Sequence, residues 1–443
     1  EFSLQFILFN KKYLEYFLNF QRKEIPPLLT PNYILRYIID YRAVNALDNL
    51  NNGRICYICN LVLKVMEKKI TIKEVKNSKD LMAFIKFPMD LYKGNPYFVP
   101  PLINDEKNIW NPKENPAYAY SEAKQFLALK GEKVVGRVAV IINHKEAEEL
   151  GIHKVRFGWL DFIDDIEVSK ALFETVKNYA REKGIAKIEG PMGFTNLDKA
   201  GMLTKGFDRL ATMIGIYNHS YYPEHLEKLG LSKEKKWVEF EIAFPDQLNE
   251  KILKFNDLVL EKHKLRVLKF KNKREILPFV EPMFKLLDET YKNLSTYTPI
   301  TDEQIKTYKE KYFSFIDKDF IICIENAKGE LISFAITMPS YSKALQKANG
   351  KLFPFGWWHF LQAGRKNDRA NFYLIGIHPD YQRQGITSII FKEIYDVFKK
   401  RGVKFLETNP ELEENKSIQL LWKDYNPENH KRRRTYSLTL DEI

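Results

Sequence analysis

The sequence predicts an α+β fold of two tandem domains, each a mixed, mostly antiparallel sheet flanked by helices. Two observations point there. The order strand, helix, hairpin, strand, helix, strand runs through 70–243 and recurs through 265–440. Between the two runs lies a short stretch, 244–249, with the proline and polar content of a linker.

In the first run, alternating apolar residues mark a strand over 70–75, and helical spacing marks 78–92. A loop rich in proline and asparagine continues through Pro116. Strands at 125–129 and 134–142 flank Gly131 and Glu132, the turn of a hairpin. A strand at 156–162, a helix at 168–183, a strand at 186–189, a helix at 223–229 and a strand at 237–243 complete the run. The second run has a strand at 265–270, helices near 275–291 and 302–312, and a hairpin at 320–324 and 331–338. An insertion, 340–370, precedes a strand at 372–377 and a helix ending near Lys400, with Gly402 as its C-cap. A strand at 403–408, a helix at 417–423 and a strand at 434–440 close the chain.

Residues 1–65 share neither pattern and are expected to be a non-native or disordered extension, the natural start being Met66. Cys56 and Cys59 lack the second ligand pair of a metal site and the strand–helix context of a redox pair. The expected domains are therefore 66–245 and 250–443.

Composition narrows the class. At 443 residues with 44% hydrophobic content, the chain can bury two or three cores. No apolar run approaches the roughly 20 residues of a membrane span, so no membrane partner is expected. Three cysteines in the whole chain fit a reducing cytoplasm rather than a disulfide scaffold. The net charge of +12 suits anionic ligands; it disfavours no polyanion by itself, and leaves tRNA open while favouring no nucleic acid.

The richest segment is 372–400. An apolar strand runs into His378-Pro379-Asp380-Tyr381-Gln382-Arg383-Gln384-Gly385-Ile386-Thr387, then into a helix with Ile389, Ile390, Ile394, Val397 and Phe398 on one face. A glycine in a loop that opens a helix lets backbone N–H groups converge on an anion, and the helix dipole favours that charge. Three glycines at dinucleotide-fold spacing are absent.

This segment resembles the acyl-CoA-binding loop of the GNAT superfamily of N-acetyltransferases. Gln382, Gly385 and Thr387 fall on that family's pattern, with Thr387 departing at its last, small position. Over roughly 66–443 the chain is similar to a bacterial group of tandem-GNAT proteins of undefined substrate. The resemblance implies acetyl-CoA or another acyl-CoA as co-substrate, with no metal. Ile375, Ile377, Gln382, Arg383, Gln384, Gly385, Ile386, Thr387 and Asn415 would bind it, the thioester carbonyl meeting a backbone N–H at Ile377 or its neighbour. Trp422 stands where the family's usual tyrosine acid falls. Glu407 and Glu413 are the candidates for base, and Tyr373, Tyr381 and above all Tyr425 for acid.

The first half reads as a degenerate, non-catalytic copy. Its strand-to-helix junction carries Asp161, Asp164, Asp165 and Glu167 with no glycine. At an effective dielectric near 20, each such charge about 4 Å from a phosphate costs about 4 kcal/mol. The glycine-rich excursion at 190–208 and the aromatic run at 217–222 offer Asn196, Asp198, Asn218 and Tyr221 as acceptor-pocket residues, and Trp358 in the 340–370 insertion could cover the site. The leading expectation is an acyl-CoA-dependent N-acyltransferase, N-acetyl in the first instance, on a small amine or amino-acid-like acceptor. The alternatives are an aminoacyl-tRNA-dependent transferase of tandem-GNAT fold and a non-catalytic acyl-CoA sensor. The sequence specifies no oligomeric state.

Overall fold

The computed structural model describes residues 69–443, apart from 196, 246, 249, 293–296, 298, 313–316 and 442–443. The expectation for 1–65 therefore lies outside the described residues.

One sheet runs through the described chain. Its first-half strands are β1 (Ile70–Glu74), β2 (Ser121–Lys130), β3 (Lys133–Asn143), β4 (Lys154–Phe162), β5 (Lys187–Gly190), β6 (Met202–Lys205) and β7 (Ser232–Ala243). The second half adds β8 (Arg266–Val267), β9 (Ile321–Glu325), β10 (Leu331–Pro339), β11 (Arg369–Ile377), β12 (Phe405–Thr408), β13 (Glu411–Leu412) and β14 (Glu428–Thr439). The main path is β1-β2-β3-β4-β5-β14-β7-β12-β11-β10-β9-β8, with β13 on β7 and β6 on β14. Two neighbouring pairs are parallel, β4 with β5 and β11 with β12; the other pairings are antiparallel. A parallel pair needs a crossover, and each half supplies a helix for it: Ile166–Glu182 and Ile386–Arg401. The mixed, mostly antiparallel fold class is as the residues imply. What they leave unstated is the join. β14, the last strand of the chain, lies between β5 and β7, and β7 lies between β14 and β12. Each half thus closes on the other's final strand.

The crossover helices are fixed by amphipathic burial. Val168, Leu172, Val176 and Ala180 pack onto the first half's strands, and Ile389, Ile390, Ile394 and Phe398 onto the second's. Gly402, at φ 71, stops the second helix in the left-handed conformation that glycine adopts without penalty. Helices at Ile103–Ile109, His144–Leu150, Glu250–His263, Ser342–Ala348 and Gly356–Arg365 were not expected from the sequence. Three are only seven residues long, and in Glu250–His263 and Gly356–Arg365 apolar residues such as Leu258 and Trp358 are exposed as well as buried, so no single 3.6-residue stripe announces them. A cluster of Tyr92, Leu203, Tyr217, Met338, Leu345 and Phe360 packs the last two of these helices against the first half. Cys323 is buried on β9, where desolvation pushes its thiol up to about 12.

Candidate active site

The second half's loop forms as its residues imply. After β11, a short turn at Pro379–Tyr381 leads to Gly385, which sits at φ 86 and opens the helix without a side-chain cap. The first N–H groups of that helix therefore have no side chain of their own to satisfy them. Arg383 is left-handed too, at φ 59. The Gln382 amide donates back to the Ile377 carbonyl (3.1 Å), and Gln384 bonds the Asp380 carbonyl, so both side chains shape the loop. The close approach at Gly385 has an unforeseen cause. A Cβ there would stand 2.5 Å from Phe255 Cε1 and 2.9 Å from Val259 Cγ2, because helix Glu250–His263 packs over the loop.

Beside the loop the sheet opens. β11 pairs with β12 only over Arg369–Phe372, after which Asn409 ties the parting strands through the carbonyls of Phe372 (3.2 Å) and Tyr373 (2.7 Å). On the other side β11 stays in register with β10, and His378 N donates to Ile332 O (2.8 Å). Antiparallel ladders alternate bonded and non-bonded residues, so Ile375 and Ile377 turn their backbone groups into the gap.

The gap belongs to a cavity of about 1660 Å³ that extends from Gln382, Arg383 and Gly385–Ser388 past Ile375, Asn415 and Tyr425 into the first half, as far as Arg137, Trp159 and Lys199. Apolar and aromatic side chains make up most of its wall in between.

The carboxylates divide sharply. Glu407 is buried beneath Lys431, with His430 Nε2 at 3.3 Å. Burial alone would raise its pKa, but the Lys431 ammonium and His430 draw it down to about 2. Glu413 pairs with Arg432 (3.3 Å) and Lys236 (3.6 Å). Neither lines the cavity. Glu411 does, although nothing in the sequence around it sets it apart from other loop carboxylates. Trp422 Nε1 donates to its Oε1 (2.7 Å). Burial, only partly offset by that bond and by the Thr408 hydroxyl, pushes the carboxyl up to about 8. Trp422 itself is fully buried, edge-on to Phe372 and Phe391. The departure from tyrosine at this position thus places an N–H where it holds a carboxyl group. Tyr425 lines the cavity with its ring 4.9 Å from that of Phe391.

Glu239, Glu407 and His430 bring ligand atoms within 4.8 Å of one another, a spacing open to a metal ion. Arg433 already pairs with Glu239 and Lys431 with Glu407, so a divalent ion would have to displace both cations.

At the first-half end, Arg137 Nη2 pairs with Asp161 (2.7 Å), which also accepts from Tyr92 Oη (2.9 Å). Trp159 holds φ 45, rare for a bulky residue, at an irregularity in the β3–β4 ladder. Its indole donates to Glu106 (2.8 Å). Lys199 makes no hydrogen bond or ion pair among the described residues, and burial lowers its pKa. At the acidic junction, Asp165 accepts from Glu167 N (3.1 Å) and meets Lys130 (3.3 Å), while Asp164 meets His225 (3.1 Å). The helix N-terminus is already satisfied by its own carboxylate.

Among the acceptor-pocket residues named from sequence, Asp198 lines the cavity, its carboxylate accepting from Thr195 N (2.8 Å). Asn218 is buried and spends its amide on the Leu203 backbone (2.7 and 3.1 Å), and Tyr221 donates to the Phe162 carbonyl (2.6 Å). Both brace the fold outside the cavity wall. Trp358 is on an outer surface, and Asn196 lies outside the described residues. Loop polar groups look alike in sequence whether they face a ligand or their own backbone.

The family model described as Acetyltransferase (GNAT) family matches residues 282–423. Protein YghO of Escherichia coli (strain K12) is 26% identical over 374 residues, covering 82% of this chain and 94% of that protein. A protein named bacterial ceramide synthase, from Caulobacter vibrioides (strain NA1000 / CB15N), is 22% identical over 384 residues, 84% of this chain and 98% of that one. Among solved structures, a tandem GNAT protein from the clavulanic acid biosynthesis pathway shares the fold at a TM-score of 0.50 and 10% identity, over 84% of this chain and 98% of its own.

Proposed function

We propose, from the GNAT family match over residues 282–423 and the fold shared with a tandem GNAT protein, that the chain is an acyl-CoA-dependent N-acyltransferase whose acceptor is a long-chain amine. The cavity carries this reading. Ordinary small-molecule pockets measure roughly 300–1,000 Å³, whereas this one holds about 1660 Å³ counted from the Gln382–Ser388 loop, where CoA would lie, through to Lys199 in the first half. A small amine would leave the apolar wall beyond the thioester position in contact with water. A ceramide, an amide of a fatty acid with a long-chain amino alcohol, has the bulk and polarity to fill it, and a relative bears the name of such an enzyme. It differs from the small amine or amino-acid-like acceptor that the sequence suggests, and the amine series below separates the two.

In the proposed reaction the pyrophosphate of CoA lies on the backbone of Gln382–Thr387 and the pantetheine arm in the gap between β11 and β12, near Asn415. The amine nitrogen attacks the thioester carbon, and an N–H from Ile375 or Ile377 stabilises the developing oxyanion. Glu411 takes the proton from nitrogen, the C–S bond breaks, and Tyr425 protonates the departing sulfur. The products are the amide and free CoA. No metal takes part. The first half, 66–245, binds no pyrophosphate, since Asp165 fills the helix N-terminus that would receive it; it supplies the far wall of the acceptor site, Asp198 included.

Thiol release measured across a series of amines tests the acceptor class. Each buried methylene contributes about 0.8 kcal/mol, so kcat/KM is expected to climb about threefold to fourfold per carbon before levelling off. Equal rates for short and long amines would overturn it. For the CoA site, Gly385→Asp introduces both a side chain and a negative charge. Acyl-CoA affinity should fall at least tenfold, about 1.4 kcal/mol, and calorimetry should find one CoA per chain in the unmodified protein. An unchanged affinity in a folded variant would remove the loop from the site.

A further inference from the structure

The insertion between β10 and β11 has two unlike faces. On the inner side Tyr341, Leu345 and Phe360 are buried and line the cavity. The Gln346 amide fastens this side to the first half through the carbonyls of Pro96 (2.8 Å) and Phe98 (2.9 Å). The outer side is bare. Phe353 is 78% exposed, Phe355 73%, Trp358 47%, Leu361 46% and Trp357 43%. Among the described residues eleven large apolar side chains are exposed, and five of them fall within these nine positions. A scattered exposed leucine needs no explanation, but a contiguous aromatic patch marks a contact surface.

Within the insertion itself the charges are all of one sign. From Ser340 to Asn367 there is no aspartate or glutamate, while Lys343, Lys347, Lys351, Arg365 and Lys366 are all exposed. Tryptophan and phenylalanine with lysine and arginine at their margins is the composition of an element lying in a membrane interface, rings at the headgroup level and cations toward anionic lipid. We propose that the Phe353–Leu361 face docks on an anionic lipid bilayer, and that lipidic acceptor enters the cavity from the membrane through the wall that Leu345 and Phe360 form. The docking stands on the surface alone; the entry route rests on the reading of the acceptor given above. The expectation of no membrane partner rests on the lack of a spanning apolar run in the sequence. The described helices include none long and apolar enough to cross, and a surface anchor requires none.

Flotation of the full chain with vesicles decides it. Binding is expected to phosphatidylcholine vesicles containing phosphatidylglycerol, weakening with salt, and to be poor for phosphatidylcholine alone. The double substitution Phe355→Ser/Trp358→Ser should weaken binding at least tenfold, and Lys347→Glu/Lys351→Glu should do the same, both with unaltered melting and acyl-CoA affinity. The proposal fails if anionic vesicles are not bound, or if either folded double variant binds like the parent. It also fails if Phe355→Ser/Trp358→Ser splits a dimer of the parent chain, which would place a second copy on the patch. Vesicle binding together with turnover of short amines only would keep the docking and sink the lipidic acceptor.

Discussion

Glu411→Gln is expected to lower kcat by about 10²–10³-fold, the usual worth of a positioned general base. The amide keeps the shape of the carboxyl and its acceptor for Trp422, so acyl-CoA affinity should hold. The pH profile is the sharper readout. With the carboxyl pushed up to about 8, kcat/KM of the parent should rise with pH toward that value, and the residual activity of the variant should lack this limb. Stability moves the opposite way. A carboxyl whose folded pKa lies above its unfolded value contributes its full stability below the unfolded value, near 4.5, and loses it as pH rises through about 8. That loss is on the order of 5 kcal/mol for a fully shifted group, and glutamine does not suffer it. The variant should therefore melt at or above the parent in alkaline buffer and close to it in acid. Trp422→Phe removes a hydrogen bond that lowers the Glu411 pKa, so its limb should move to higher pH with the plateau retained. A Glu411→Gln protein with parental kcat and an unaltered profile would take Glu411 out of the reaction.

Arg433→Met is expected to cost about 3–5 kcal/mol, the largest stability effect of the set. Arg433 and Glu239 are 1% and 0% exposed at the seam where β14 meets β7, and the guanidinium also serves the Ile216 carbonyl. Methionine fills similar volume but leaves a carboxylate in the interior with no counter-charge. The double variant Arg433→Met/Glu239→Met should recover most of the loss, because removing both charges removes the desolvation penalty as well. Urea unfolding of the two singles and the double gives the coupling. A single variant as stable as the parent would mean that the seam contributes nothing to holding the halves together.

How much of this was legible depends on how local each signal is. The strand–loop–helix of 372–400 could be read outright, since its alternation, its glycine and its amphipathic face all lie within one short segment. So could the acidic junction at 161–167, whose carboxylates cap their own helix. Glu407 and Glu413 are near the opened strands in sequence, as expected of a base. Lys431, His430, Arg432 and Lys236, which occupy them, come from β14 and β7, strands whose neighbours no local pattern specifies. Glu411 looked like any loop carboxylate until Trp422 closed over it.

By itself the sequence determined the fold class, the order of the principal strands and both crossover helices, and the place of the glycine loop that opens the second of them, because each follows from periodicity and a few conformationally special residues. Only the tertiary structure decided that the halves close on each other's last strands, that their interiors join in one long cavity, and which carboxyl faces it. Those features depend on contacts between residues as much as two hundred positions apart, such as Arg433 with Glu239. Burial and pairing there, rather than residue type, separate a glutamate held down by its salt bridge from one whose pKa is pushed up.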